Sequence, residues 1–255
     1  MMAKRTDRIG ERFETNEGYV VEIVEYNSSS DLWVEFQDKH RSRVHTTYQH
    51  CRKGEIKNLY HPSVYGMGFI GQGEYKSKVN GKRTKYYKYW QDMLERCYDE
   101  KYHKKQPTYK DCFVNEEAHC LQDFGAWFDE NYYEIEGEQM ELDKDILCKG
   151  NKEYSFNTMI FVPQRINVLF IKNDAIRGDL PIGVNYDKKS NKYRTQCQTL
   201  GHQKCLGYYN TPHEAFLAYK EFKEQYIKQV ADEYKGRIPD RLYEAMYAWE
   251  VEIDD

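Results

Sequence analysis

The sequence predicts an α+β protein built from several small modules. Three observations carry that reading: strand-like and helix-like stretches follow one another in groups, glycine-rich or basic polar runs separate the groups, and 15% aromatic residues, 24 of them tyrosine, can fill more than one small core. A chain of 255 residues allows two or three such domains. The expected order is a β-rich, barrel-like module over 1–72, a basic linker over 73–85, a central unit over 86–175, a three-stranded sheet with one long helix over 180–235, and a C-terminal helix with an acidic tail over 236–255.

In the first module, residues 19–26, 32–36 and 43–47 read as strands, parted by turns at 27–30 and 37–40. Gly66, Gly68, Gly71 and Gly73 crowd the stretch that follows. None of them is directly followed by a Lys-Ser/Thr pair, as a phosphate-cradling loop requires, so they mark a hinge or bulged connector. The run 76–85 is polar and basic and reads as a linker, in which Lys82, Arg83 and Lys85 could track a phosphate backbone.

Helical spacing resumes with Tyr86, Trp90, Met93, Leu94 and Cys97, and again with Leu121, Phe124 and Phe128. After the acidic loop 133–141 come a short apolar strand at 142–147, a turn at 149–151, a second strand at 159–162, and a short helix opening at Pro163 with Ile166, Asn167 and Phe170. A last amphipathic helix carries Leu242, Ala245, Met246 and Trp249.

The stretch 181–234 is the most explicit. Strands at 182–186, 192–199 and 204–209 are parted by a basic turn and by Gly201. Thr211 then offers an N-cap, Pro212 suits the first helical position and Glu214 completes a capping box. Ala215, Ala218, Tyr219, Phe222, Tyr226 and Val230 form one apolar stripe. One helix covers only one face of a three-stranded sheet. Alternation puts Lys192, Arg194, Gln196 and Gln198 together on one side of the middle strand, with Tyr193, Thr195, Cys197 and Thr199 on the other. The first set has the chemistry that bonds phosphates and purine edges in a major groove, although a solvated sheet face has the same composition.

Net charge is only −4, which excludes a uniformly polyanion-binding surface and confines any nucleic-acid contact to a local patch. The charges are segregated: cations dominate 76–110, and carboxylates dominate 111–145 and the C-terminus. The seven cysteines include no C-x-x-C pair, which predicts reduced thiols in a cytosolic compartment. Cys112, His119, Cys120 and Cys148 match no common zinc spacing and read as packing residues. No apolar run has membrane-spanning length and the first residues are polar, so a soluble, cytoplasmic protein without membrane partners is expected.

Two resemblances sharpen the functional expectation. Gly183, Val184, Lys192, Tyr193, Arg194, then Leu206, Gly207, Tyr208, Tyr209, Asn210, Thr211, then Glu214, Ala215, Ala218 and Tyr219 resemble the landmarks of the Apetala-two/ethylene-response-factor DNA-binding domain. That resemblance implies a sheet lying in the major groove of duplex DNA with its helix packed behind. It places Asn185, Lys188, Lys189, Lys192, Arg194, Gln196, Gln198 and Lys204 toward DNA. Tyr193 stands where the family commonly has tryptophan.

Leu142, Asp143, Lys144, Asp145 and Ile146, followed by 158–162 and Asn167, resemble the ββα-metal core of HNH endonucleases, with a helical lead-in like that of phage homing endonucleases. The resemblance implies Asp143 and Asn167 as ligands of a Mg²⁺ ion, with Lys144 at the general-base position and Thr158 at that of the orienting asparagine. A lysine, with an ordinary pKa of about 10.4, is charged at neutral pH and cannot take a proton from water. Asn157 restores the orienter if the register moves by one, and His103 or His119 would have to be brought in by the fold to act as base.

The expectation is therefore a DNA-binding protein of phage homing-endonuclease type with weak or absent cleavage, acting in a host-cell cytoplasm. Two rivals stand beside it: an active Mg²⁺-dependent endonuclease, and an interaction protein whose acidic 111–145 face occupies a basic host protein.

Overall fold

The computed structural model describes residues 7–171, 180–199 and 201–253. The first six residues of the polar N-terminus and the last two of the acidic tail lie outside the described residues, as do the last positions of the 86–175 stretch. The fold is a mixture of several small sheets and helices, and it divides into two compact units, Met1–Glu130 and Asn131–Asp255. The division falls inside the stretch expected as one central unit.

The first unit opens with an antiparallel meander of β1 (Arg12–Glu14), β2 (Val20–Ser28), β3 (Asp31–Phe36) and β4 (Arg43–Thr46), paired in sequence order. This sheet is open, which corrects the barrel-like expectation. The reason is local: after β4 the chain turns into α1 (Tyr48–Lys53), started by the Thr47 side chain accepting from His50 N and ended by Gly54 at φ +67°. Among the described residues no fifth strand joins β1 to β4. Cys51 of α1 and Ile56 instead pack onto Val21, Ile23, Leu32, Val34 and Phe36 and fill the inner face.

The glycine stretch is laid against the neighbouring helices. A Cβ on Gly68 would stand 2.4 Å from Leu94 Cδ1, while Phe69 N donates to His119 O and accepts, through its carbonyl, from Leu121 N. The expected linker is a β-hairpin of β5 (Lys78–Val79) and β6 (Lys82–Arg83), closed by Asn80 and Gly81 at φ +51° and +77°, the signs of a type I′ turn. Beyond it lie α2 (Lys85–Tyr98), α3 (Glu100–Lys105), the two-residue strand β7 (Phe113–Val114) and α4 (Leu121–Asn131). Trp90, Met93, Leu94, Leu121 and Phe124 are fully buried, and Trp90 Nε1 donates to Ala118 O at 2.9 Å.

In the second unit β8 (Met140–Asp143) pairs antiparallel with β10 (Ile160–Pro163), and the short α5 (Gln164–Asn167) follows directly. Between them lies the two-residue β9 (Glu153–Tyr154). The first strand ends at Asp143 rather than running to 147, because the Asp143 carboxylate caps the next turn. Its Oδ1 accepts from Asp145 N and Ile146 N, both at 2.8 Å.

The sheet β11 (Val184–Asp187), β12 (Lys192–Gln198) and β13 (Gln203–Tyr209) has the expected antiparallel order, with α6 (Pro212–Glu233) behind it. The capping box is formed: Thr211 Oγ1 accepts from Glu214 N, and Glu214 Oε2 accepts from Thr211 N. Gly183 permits the closest approach of sheet and helix. It sits at φ +74°, and a Cβ there would lie 2.1 Å from the Tyr219 ring.

Helix α6 serves two cores. Ala215, Phe216 and Tyr219 at its start pack with Val184 and Cys197 under the sheet. Ile227, Val230 and Ala231 at its end pack with Ile146, Ile160, Val162, Ile166 and Leu169 of the ββα segment and with Leu242 and Met246 of α7 (Asp240–Tyr247). The hydroxyls of Tyr243 and Tyr247 both donate to Asp232 Oδ1, tying α7 to the end of α6. An N-cap contributes about 1 kcal/mol, whereas each large aliphatic side chain fully buried contributes about 1.5–3 kcal/mol. Docking at both ends, rather than the cap, holds this helix.

Ile227→Ala is expected to destabilise the second unit by about 2–5 kcal/mol. Because the helix is shared, native-state hydrogen exchange should accelerate in both β11–β13 and the β8/β10 pair; faster exchange in only one of them would show the two cores to be independent.

Candidate nucleic-acid interface

The uncovered face of the C-terminal sheet is assembled by strand register. Arg194 lies between Asn185 on β11 and Tyr208 on β13, Lys192 lies opposite Asp187, Gln196 opposite Cys205, and Gln198 opposite Gln203. These are the residues pointing away from α6, since Val184, Thr195 and Cys197, on the other parity, are buried beneath it. Asn185, Lys192, Gln198 and Tyr208 are exposed, and Arg194 and Gln196 are half-buried. The Nε of Arg194 is shielded from solvent and has no hydrogen-bond partner. A buried donor left unpaired costs about 1–3 kcal/mol.

The β11–β12 turn adds cations to one end of this face. Asp187 Oδ1 accepts from Lys189 N and Oδ2 from the Ser190 hydroxyl, and these bonds, the Ser190 one first, hold the Asp187 carboxyl below its ordinary range. Lys188 and Lys189 are thereby presented outward on an ordered turn. Asp187, Lys189, Ser190, Lys192 and Tyr208 line a shallow concavity of about 460 Å³.

One expected member falls elsewhere. Lys204 pairs with Cys197 and so belongs to the helix side, where its ammonium stands 4.7 Å from the centre of the Phe222 ring. A further member is Tyr208, which alternation alone does not bring out. The register of β12 and β13 slips between Thr195 and Gln196: Thr195 faces Gly207 while Gln196 faces Cys205, leaving Leu206 as an extra residue. That bulge inverts the parity of β13 beyond it, turning Tyr208 outward and Tyr209 inward. The signal in the sequence was Gly207, which stands at φ +146° beside the bulge.

The ββα segment is built differently. Asp143 spends one carboxylate oxygen on two backbone amides, and burial, reinforced by the nearby Asp145 charge, pushes its pKa up to about 6. Lys144 is almost entirely buried, with its Nζ 3.3 Å from Asp145 Oδ2 and over the Tyr154 ring. Its carbonyl accepts from Asn151 Nδ2, which also bonds Glu153 O, so the turn is fastened internally. Thr158 Oγ1 donates to Glu153 O at 2.8 Å and accepts from Ser155 N. Asn157 is exposed, and Asn167 sits half-buried at the end of α5.

The histidines considered as substitute bases are engaged as well. His103 Nε2 lies 2.9 Å from Arg96 O, and His119, buried and with its pKa lowered by that burial, lies 3.1 Å from Val114 O.

A magnesium ion asks for hard oxygen donors around an octahedron, at least one or two of them carboxylate. Here one aspartate caps a turn, the next is paired with an ammonium, and among the described residues no group of three or more His, Cys, Asp and Glu side chains converges. The donor set does not fit the ion. Nor do Cys112, His119, Cys120 and Cys148 come together as such a group. Among the described residues no helix is long and apolar enough to cross a membrane.

No family model matches the sequence, and no match to it is found among curated proteins or solved structures.

Asp143 supplies a pH test. Its pKa is raised in the folded state, so ionising it costs stability, and the cost is absent below the unfolded value near 4 and full above about 6. Asp143→Asn keeps the capping oxygen and removes the charge. Relative to wild type the variant should gain stability as pH rises from 4 to 8, by about 1–3 kcal/mol, in urea melts at each pH; a pH-independent difference would place the carboxylate in contact with water.

Proposed function

We propose that this protein binds duplex DNA through the uncovered face of its C-terminal sheet and that its ββα segment serves as a scaffold rather than a catalytic centre. The observation that carries the reading is the row Asn185, Arg194, Gln196, Gln198 and Tyr208 beside Lys188, Lys189 and Lys192: amides, a guanidinium and cations on the one face of the sheet that the helix leaves uncovered. Guanidinium and amide groups pair with guanine and adenine edges in the major groove, the cations meet phosphates, and a narrow β-sheet is a shape that groove admits. The resemblance to ethylene-response-factor-type domains points the same way.

The scaffold reading rests on where the would-be catalytic groups are spent. Lys144 is buried against Asp145 and Tyr154, the Thr158 hydroxyl closes its own turn, and Asp143 caps backbone amides. None of these arrangements leaves a base facing a water or a scissile phosphate.

The test uses the full-length chain and random duplex DNA. Replacing Arg194 and Gln196 together by alanine should weaken binding by about 1–3 kcal/mol, the worth of a good base pairing, read by fluorescence anisotropy at moderate salt. Unchanged affinity would remove the sheet as the reader. In the same reactions with Mg²⁺ or Mn²⁺, cleavage should be negligible. Robust cleavage abolished by Asp143→Ala would establish the endonuclease reading instead, and tight binding to a basic protein with none to DNA would establish the acidic-face reading.

A further inference from the structure

The second charged element lies in the first unit. The β5/β6 hairpin is anchored at its base: Thr84 N donates to Ser77 O, Thr84 Oγ1 and the Tyr86 hydroxyl both donate to Lys76 O, and Lys76 N donates to the Tyr86 oxygen. The Tyr86 ring packs edge-on against Tyr75 at 5.2 Å, and Tyr75 lies over Gly125 of α4. The hairpin therefore projects from a fixed base with a rigid I′ turn, and its four strand residues, Lys78, Val79, Lys82 and Arg83, are all exposed.

Its charge arrangement is unfavourable on its own. Lys78 and Arg83 are directly opposite one another. The backbone bond from Thr84 N to Ser77 O closes the pair on one side and the turn closes it on the other, which makes Lys78 and Arg83 the non-hydrogen-bonded pair, whose side chains stand closest. Like charges so placed repel. Lys78, Lys82 and Arg83 make no ion pair with a described residue. A folded hairpin that sets two cations face to face, with no carboxylate to separate them and an anchored base to hold them there, is complementary to an anion placed between them.

We infer that Lys78 and Arg83 clamp a backbone phosphate of duplex DNA, giving the protein a sequence-independent contact in its first unit in addition to the sheet in its second. The inference rests on the DNA-binding reading above. The cations supply charge and no base-reading amide, so this element adds affinity and salt dependence without sequence preference.

The experiment measures binding of the full-length protein to random duplex DNA by anisotropy across a sodium chloride series. Lys78→Ala with Arg83→Ala should reduce the slope of log affinity against log salt by about 0.9, the worth of one phosphate neutralised, and should lower affinity several-fold at low salt. Lys78→Glu separates binding from folding. It puts a carboxylate opposite Arg83, so the melting temperature should stay level or rise while the slope falls by the same amount. A wild-type slope in both variants, with DNA still bound, overturns the clamp and leaves the sheet reading intact. A wild-type protein that binds no duplex DNA overturns both. A loss confined to duplex RNA, with DNA binding unaltered, overturns the DNA assignment of the clamp.

Discussion

The second unit depends on one constraint: a single 22-residue helix has to satisfy two separate apolar surfaces. At about 1.5 Å per residue it is some 33 Å long, enough for its first turns to roof the three-stranded sheet and its last turns to seal the ββα segment and α7. Neither surface is large. The sheet offers Val184 and Cys197 as its fully buried apolar contacts, and the β8/β10 pair offers Ile160 and Val162. A small core is marginal alone, and the helix links the two so that ordering one helps to order the other. Asp232, gripped by Tyr243 and Tyr247, fixes where α7 returns and so closes the second core.

Much of this architecture was legible from local signals. The turn residues, the capping box at Thr211, Pro212 and Glu214, and the period-two pattern of 192–198 gave the sheet and helix with boundaries close to those observed. What local pattern could not carry was partnership. The apolar stripe of α6 runs on from Tyr219 to Val230 without a break, so nothing in its spacing reveals that the covering partner changes halfway. The glycines at 66–73 look permissive, yet Gly68 is there because Trp90 and Leu94 occupy the space of a side chain. The run 76–85 has a linker's composition, and only the Asn80-Gly81 pair marked it as a hairpin.

The candidate site was half legible, for the same reason. Alternation along β12 identified Lys192, Arg194, Gln196 and Gln198 from one strand, because side-chain parity is a property of a single strand. Membership from β13 depends on register between strands: pairing with Cys197 puts Lys204 on the helix side, and the bulge at Leu206 brings Tyr208 into the open. At the ββα segment, strand order was readable, but the engagement of Asp143 with Asp145 N and Ile146 N was not, since a carboxylate that caps a turn and one that faces solvent have the same sequence.

The bulge also makes the outer face a function of how β12 and β13 are registered. Loss of Leu206 would remove the extra residue and restore strict alternation while leaving Tyr208 outward and Tyr209 inward, whereas regular pairing with Leu206 retained would exchange the two. The phenol beside Arg194 would then turn toward Tyr219 and Phe222, and the one now packed there would turn to solvent. Among related sequences, a one-residue gap at this point would accordingly leave the face as it is, whereas a strand of the same length paired without the bulge would redraw it with every residue type unaltered.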